Sequence, residues 1–447
     1  MNKYGIEIPS ILLPQAAKAD LTKWPVIACD QFTQDRGYWE RANEICAGSP
    51  STLNMIFPEV FLCDDGAAQR IADIHSTMKQ YLSNGVFGEP HKGFIYIERD
   101  TPFQKKRRGL AAAVDLEHYD WRPEARPLIR STEGTVEERL PARMDIRRGA
   151  PLELPHILLL LDDDTDSLLP QLGERVKKAA PLYNTPLMMD SGGAAGWLVE
   201  ESGDMSFISQ KLDELLLRSI SRYDGGKPFL FAVGDGNHSL AAAKGVWDEV
   251  KSKNKEQGTK NNELCRYALA EIENIYDPAI QFEPIHRLVF GIGFDEIISL
   301  LSQLPGFTCR PADNVQELSQ FCRAERQRRM PCAGNRFAVV SEGRYAQIET
   351  SASGIATACL QPLLDVYAAD NPQLIDYIHD EKELFRLAEN RAADHPASGR
   401  RAGILLPPVQ KSGLFETVAR LGPLPRKSFS MGHSCEKRFY LECRKLY

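Results

Sequence analysis

The sequence predicts an α+β protein, a larger body with a small α+β unit inserted into it, and three stretches carry that prediction. "GFIYIERD" (93–100) and "GLAAAVDLEHY" (109–119) are strand-like runs about a loop that holds Lys105-Lys106-Arg107-Arg108, the pattern of a hairpin with a long tip. "KPFLFAVGDGNHSLAAAKGVWDEV" (227–250) reads as strand, glycine-rich turn and helix. After Pro284-Ile285-His286-Arg287 the chain changes character, and 291–358 supply helix, strand, helix and a hairpin turning at Glu342-Gly343.

The remaining elements follow in chain order. Trp24 to Cys29 is strand-like and ends at Asp30-Gln31, and 35–48 and 66–83 place apolar residues three and four apart, as helices do. Arg130 to Thr135 is a polar loop, and Thr135 with Glu138 fits a capping box. Pro155 to Leu161 is a buried-strand candidate, "DSGGAAGWLVEE" a turn then a strand, and Ser206 to Arg222 an amphipathic helix. A helical pattern at 360–369 precedes "DYIHDEKEL" and a Pro-rich close. The expected organisation is a core over 1–290 with the glycine-rich turn, an inserted unit over 291–358, and 359–447 packing back on the core. No internal repeat is present.

Composition bounds the function. The chain has 447 residues, 43% apolar and 26% charged, with net charge −7. That acidic balance argues against duplex nucleic acid as the main partner. The basic runs at 105–108 and 323–329 read as a hairpin tip and a solvated helix face. Ten scattered cysteines form no CxxC and no zinc spacing, which suits thiols in a reducing compartment. Met1 to Pro14 lacks signal-peptide character, and the longest apolar run, Ile157 to Leu161, is too short for a bilayer. A cytoplasmic protein without a membrane partner is expected.

Among the residues that could do chemistry, Gly234-Asp235-Gly236-Asn237-His238-Ser239 stands out. A glycine turn between strand and helix aims backbone N–H groups outward at the positive end of the helix dipole, which suits phosphate. Asp235 could hold Mg²⁺ or a substrate hydroxyl, and His238 could contact phosphate or move a proton. The bland reading is a tight turn with Asn237 or Ser239 as N-cap. It is neither a P-loop nor a dinucleotide fingerprint. Asp30 could be a base, a metal ligand or a turn residue. His379-Asp380 beside Glu381 could be first-turn residues of a helix, His286-Arg287 a surface ion pair, and Arg130, Glu133 and Thr135 a capped loop. Lys411 and Lys427 lie where a phosphate-binding lysine and a solvated one look alike.

Seven phrases, "PVIACDQF", "GLAAAVDLEHY", "RSTEGTVEERL", "GDGNHSLAAAK", "PIHRLV", "DYIHDEKEL" and "RKSFSMG", occur in the order in which they occur in the domain of unknown function 1015 family, which this sequence resembles over nearly its whole length. That family resembles the ParB/sulfiredoxin-like superfamily, with its free serine kinases. The resemblance implies a mixed-sheet core and phosphorylation of a small hydroxyl acceptor, foremost free L-serine, from pyrophosphate, ADP or ATP, or the reverse, phosphoserine to serine. It implies small-molecule partners; for the inserted unit a lid and a homodimer contact stand as equal readings.

The superfamily's phosphate-binding mark is a DGHxR phrase, matched here by Asp235-Gly236-Asn237-His238-Ser239. Asn237 stands where His is common and Ser239 where Arg is common, which removes a bidentate phosphate donor. Arg130, Arg287, Lys411 and Lys427 are candidates to replace it. The resemblance also offers Asp30 as counterpart of the early acidic base, and Glu133, Thr135, His286, His379 and Asp380 as substrate contacts. The implied scheme has Gly236 to Ser239 cradling donor phosphates with Mg²⁺ on Asp235 and Asp30 taking the hydroxyl proton. The competing readings are a phosphoester or nucleotide hydrolase on the same fold and a non-catalytic nucleotide- or nucleic-acid-binding regulator.

Overall fold

A computed structural model describes residues 1–33, 35–62, 64–103, 106–223, 226–324, 334–389 and 399–447. The chain forms two compact units, Met1–Ile280 with Gly432–Tyr447, and Gln281–Met431.

The first unit is built on a ten-stranded mixed sheet. Nine strands lie in the order Tyr183–Pro186, Gly193–Val199, Phe94–Asp100, Arg107–Asp115, Tyr267–Asn274, Leu158–Leu161, Phe231–Asp235, Ile129–Ser131 and Tyr119–Asp120, and Ile6–Glu7 also pairs with Arg107–Asp115. The predicted hairpin is present, with Ile97 opposite Gly109. Leu158–Leu161 runs parallel to Tyr267–Asn274 and antiparallel to Phe231–Asp235, which is itself parallel to Ile129–Ser131. All four leucines and Phe231, Ala232 and Val233 are fully buried, as expected of central strands covered on both faces. The helical patterns become Arg36–Cys46, Ala67–Ser83 and Ser202–Arg222.

In the basic run Lys106 is exposed, but the two arginines are not at the tip. Arg107 and Arg108 lie inside a strand, and Arg107 is buried with its Nε 2.8 Å from Glu273 Oε1. Arg438, equally buried, pairs with Glu271 and Glu442. The Arg438 charge survives burial because it meets opposite charges. Lys105, like 325–329 of the second basic run, lies outside the described residues; Arg323 pairs with Glu381.

In the second unit six antiparallel strands lie in the order Thr308–Ala312, Arg344–Thr350, Asn335–Ser341, Arg401–Leu405, His286–Phe290 and Ile375–Ile378. The predicted hairpin turns at Glu342 and Gly343, both with positive φ. Alternate residues feed two cores: Val289, Phe337 and Val339 on one face, Leu288, Ala338 and Val340 on the other. His286–Phe290 is therefore internal to this sheet. The unit begins at 281 rather than 291 and takes in most of 359–447, and only Gly432–Tyr447 belongs to the first unit.

All eight described cysteines are free thiols. Among the described residues no helix is long and apolar enough to cross a membrane.

Candidate active site

Phe231–Asp235, Gly236 and the helix Asn237–Gln257 form the strand–turn–helix that the sequence predicts. Opposite Leu158 and Leu159 the register slips by one residue at Gly234, a bulge that re-aims Asp235 at the strand end. Gly236 has φ +79°, and a Cβ there would lie 3.1 Å from both Cα and Cγ1 of Ile157. Only glycine meets both demands. The N-cap is Gly236 itself, and no side chain caps the helix, so neither Asn237 nor Ser239 takes the capping role. The Asn237 Oδ1 is buried and has no hydrogen-bond partner among the described residues.

Asp235 accepts the Gly236 N–H at Oδ1 (3.0 Å), and its Oδ2 lies 3.2 Å from Lys437 Nζ, a lysine with 8% side-chain exposure. The segment that supplies Lys437 also forms the strand Phe439–Tyr440, paired with Val26–Ile27. That pairing sets Tyr440 beside the residues leading to Asp30. Tyr440 Oη accepts the Cys29 N–H (3.1 Å) and lies 2.9 Å from His156 Nδ1, while His156 Nε2 lies 2.7 Å from Ser239 Oγ. A continuous hydrogen-bonded chain thus runs from residue 29 to the helix start.

Asp30 is half-buried. Burial works against its charge, but His156, a hydrogen bond from Gln31 and Lys437 outweigh burial and hold the carboxyl below its usual range. Glu59 goes the other way: burial and nearby Asp30 raise it although Arg143 is ion-paired with it. The two carboxyls are thus shifted in opposite directions, Asp30 down and Glu59 up. His238 Nε2 accepts the Val136 N–H at 3.2 Å, so Nδ1 carries the proton of a neutral ring.

The other sequence candidates divide. Arg130 is buried, donates to the carbonyls of Pro127 and Pro228 and lies over the Phe229 ring, a structural use. Thr135 and Glu138 form no capping box; the short helix Glu137–Arg139 starts from Val136 without a side-chain cap, and Glu133 is half-buried nearby in sequence. In the second unit Arg287 is fully buried, bonded to Gln361, Ile285 and Arg426 and stacked on Tyr377, not the expected surface pair. His286 is buried beside it and accepts the Leu406 N–H at Nδ1. Burial and the Arg287 charge push its pKa down to about 3, leaving a neutral ring. Asp380 caps the helix Glu381–Glu389 through Glu383 N, and His379 is exposed. Lys411 begins the helix Lys411–Leu421, and Lys427 is exposed with φ +57°.

Asp30, Asp235, Gly236, Asn237, His238 and Ser239 all belong to the first unit. His156, Lys437, Tyr440, Glu59 and Arg143 were missed, since no local pattern marks them. The one available signal was polar His156 set directly before a run of buried apolar residues.

For Mg²⁺, the described residues hold no group of three His, Cys, Asp or Glu able to chelate it. Asp235 offers one carboxylate already shared with Lys437. That donor set fits an ion that arrives on substrate phosphates and takes one protein carboxylate, the usual Mg²⁺ habit.

The family described as a protein of unknown function (DUF1015) matches residues 12–367. No curated protein matches. Among solved structures, a free serine kinase in complex with AMP is 13% identical, with 78% of this chain and 95% of that one covered, at TM-score 0.36. A conserved hypothetical protein from Pyrococcus furiosus is 12% identical, covering 74% and 90%, at TM-score 0.32. SbnI with a C-terminal truncation, from Staphylococcus aureus, is 9% identical, covering 75% and 87%, at TM-score 0.35. Likeness at these scores carries no argument about chemistry, which rests on the site.

Proposed function

We propose that the chain, which belongs to the DUF1015 family, is a phosphotransferase acting on a small hydroxyl acceptor, foremost free L-serine, with pyrophosphate or a nucleotide as donor. The ParB/sulfiredoxin-like assignment of its mixed-sheet core is part of the same reading. The observation that carries it is the uncapped helix start behind Gly236, flanked by the Asp235–Lys437 pair and linked through His156 to the region of an ionised Asp30.

Phosphoryl transfer asks a protein for positioning and charge neutralisation more than for covalent chemistry. In this reading the N–H groups at the start of Asn237–Gln257 and the Lys437 ammonium hold the donor phosphates. The acceptor oxygen bonds to the transferred phosphorus, the bond from phosphorus to the leaving oxygen breaks, and its electron pair stays on the leaving phosphate. Asp30 takes the hydroxyl proton. A carboxylate held below its usual range is a weak base, which suffices where that proton moves late. His156, held by Ser239 and Tyr440, keeps Asp30 ionised and oriented. Mg²⁺ bound by Asp235 would supply further charge neutralisation on the donor.

Phosphorus NMR of the purified protein with Mg²⁺ and L-serine, supplied separately with pyrophosphate, ADP and ATP, tests this. Phosphoserine is expected with one donor, and Asp30→Asn should abolish it while donor binding persists. Free phosphate released regardless of serine would replace the reading with a hydrolase, and no turnover with any donor would reject it.

A further inference from the structure

A cavity of about 140 Å³ lies in the first unit beside Tyr440, His156 and Ser239, which all line it. Buried Met55, Phe57, Met78 and Leu152 supply apolar wall, and two ion pairs, Glu59–Arg143 and Arg147–Glu153, supply charge. A space of about 150 Å³ accepts a molecule of benzene's size, so this one has room for a body of about five carbons with a polar head. Which head it takes follows from the two ion pairs.

Arg143 and Arg147 stand one turn apart on the helix Leu140–Arg147 and so share a face. Glu153 is fully engaged: Oε1 accepts the Leu269 N–H (3.0 Å) and Arg444 Nε (2.6 Å), and Oε2 lies 2.6 Å from Arg147 Nη1. Two guanidiniums, Arg147 and Arg444, thus share one buried carboxylate, which leaves one positive charge without a counter-charge among the described residues. Arg147 also keeps its buried Nε–H without a hydrogen-bond partner there, although Nη2 donates to the Tyr267 carbonyl (3.1 Å). Glu59 does not restore the balance. It is ion-paired with Arg143, and burial raises its carboxyl although Arg143 opposes. A half-enclosed wall with surplus guanidinium charge favours an anion, and a carboxylate is the anion whose geometry a guanidinium matches while still carrying a hydrocarbon body.

We propose that this cavity is a binding site for a small aliphatic monocarboxylate, its carboxylate facing Arg143 and Arg147 and its hydrocarbon body packed against Met55, Phe57 and Met78. The two methionines let the wall adapt to a branched chain. The site adjoins the proposed phosphotransfer centre but stands apart from that reading, because no phosphate donor is needed to fill it.

Methyl NMR of the full chain, labelled with carbon-13 at the methionine methyls, reads occupancy at the cavity itself, with Met55→Leu and Met78→Leu assigning the two wall signals. The probes are 3-methylbutanoate, the uncharged 3-methylbutanamide of the same shape, and the cation 3-methylbutylamine. The carboxylate should shift both signals saturably and bind at least ~10-fold tighter than the amide, the effect of a charged hydrogen bond. The amine should give no saturable shift. Arg147→Gln leaves Glu153 to Arg444 alone, so the carboxylate should lose at least ~10-fold in affinity while the amide binds as before, a change of ratio that a merely structural role would not produce. Wall signals that do not move, an amide or amine that binds as tightly as the carboxylate, or an unchanged ratio in the folded variant would each overturn the proposal. Should Arg147→Gln fail to fold, the three probes on the wild-type chain decide it alone. No donor is present in any arm, so failure to form phosphoserine leaves this result unaffected.

Discussion

Replacing Gly236 by alanine tests the turn on which the site depends, and Gly258→Ala supplies the control from the other end of the same helix. Both glycines have positive φ, +79° and +63°, so both substitutions carry the left-handed penalty of an L-residue, roughly 1–2 kcal/mol. They differ in surroundings. A Cβ at 258 meets nothing within 4 Å, whereas at 236 it meets the backbone Cα and the Cγ1 of Ile157 at 3.1 Å, beside the bulged pairing of Leu158. A backbone atom cannot turn aside as a side chain does, so the strand or the helix start must shift, adding roughly 1–3 kcal/mol of overpacking. Gly236→Ala should therefore cost about 2–5 kcal/mol and Gly258→Ala only about 1–2 kcal/mol. Urea unfolding followed by tryptophan fluorescence measures this in the first unit alone, because Trp24, Trp39, Trp121, Trp197 and Trp247 all lie there. Equal losses in the two variants would refute the close approach to Ile157 and with it the geometry of the turn at Gly236.

Lys437→Met should weaken phosphate-donor binding by ~10- to ~150-fold, the 1.5–3 kcal/mol of a charged hydrogen bond, and calorimetric titration with pyrophosphate reads it; unchanged affinity would leave Lys437 as a partner of Asp235 only. His286 should make the second unit acid-sensitive. Its folded pKa is about 3 against 6.5 in the unfolded chain, so stability is whole above 6.5 and is lost as pH falls toward 3. Hydrogen exchange at the Leu406 amide, corrected for its intrinsic pH dependence, should quicken over that window and be flatter in His286→Gln. Glu273 should do the reverse in the first unit. Burial, with Glu271 and Asp277 near, pushes its carboxyl up to about 8 although Arg107 opposes, so its contribution is whole below about 4.5 and falls as pH rises to 8. Glu273→Gln, which keeps the neutral form, should flatten that fall in the urea midpoint.

What could be read locally was read from periodicity and turn chemistry. The apolar run that opens Phe94–Asp100, the helix spacing of Ala67–Ser83 and the glycines at 234 and 236 each state their conformation within a few residues, because backbone sterics and side-chain period act at that range. Asp30, Asp235 and His238 were accessible for the same reason, as charged residues at the ends of apolar runs. Charge partners were not. Arg107 and Arg287 look like solvated cations in a linear reading, and their burial depends on Glu273 and Gln361, placed opposite them by strands distant in sequence. Lys437, Tyr440 and His156 join the site only because Phe439–Tyr440 pairs with Val26–Ile27, some 400 residues earlier in the chain. The sequence by itself determined the class of the fold and the strand–turn–helix at Gly236. Tertiary structure decided which charges are buried and which groups share a cavity, because long-range pairing and desolvation are properties of the packed chain and leave no mark on residue order.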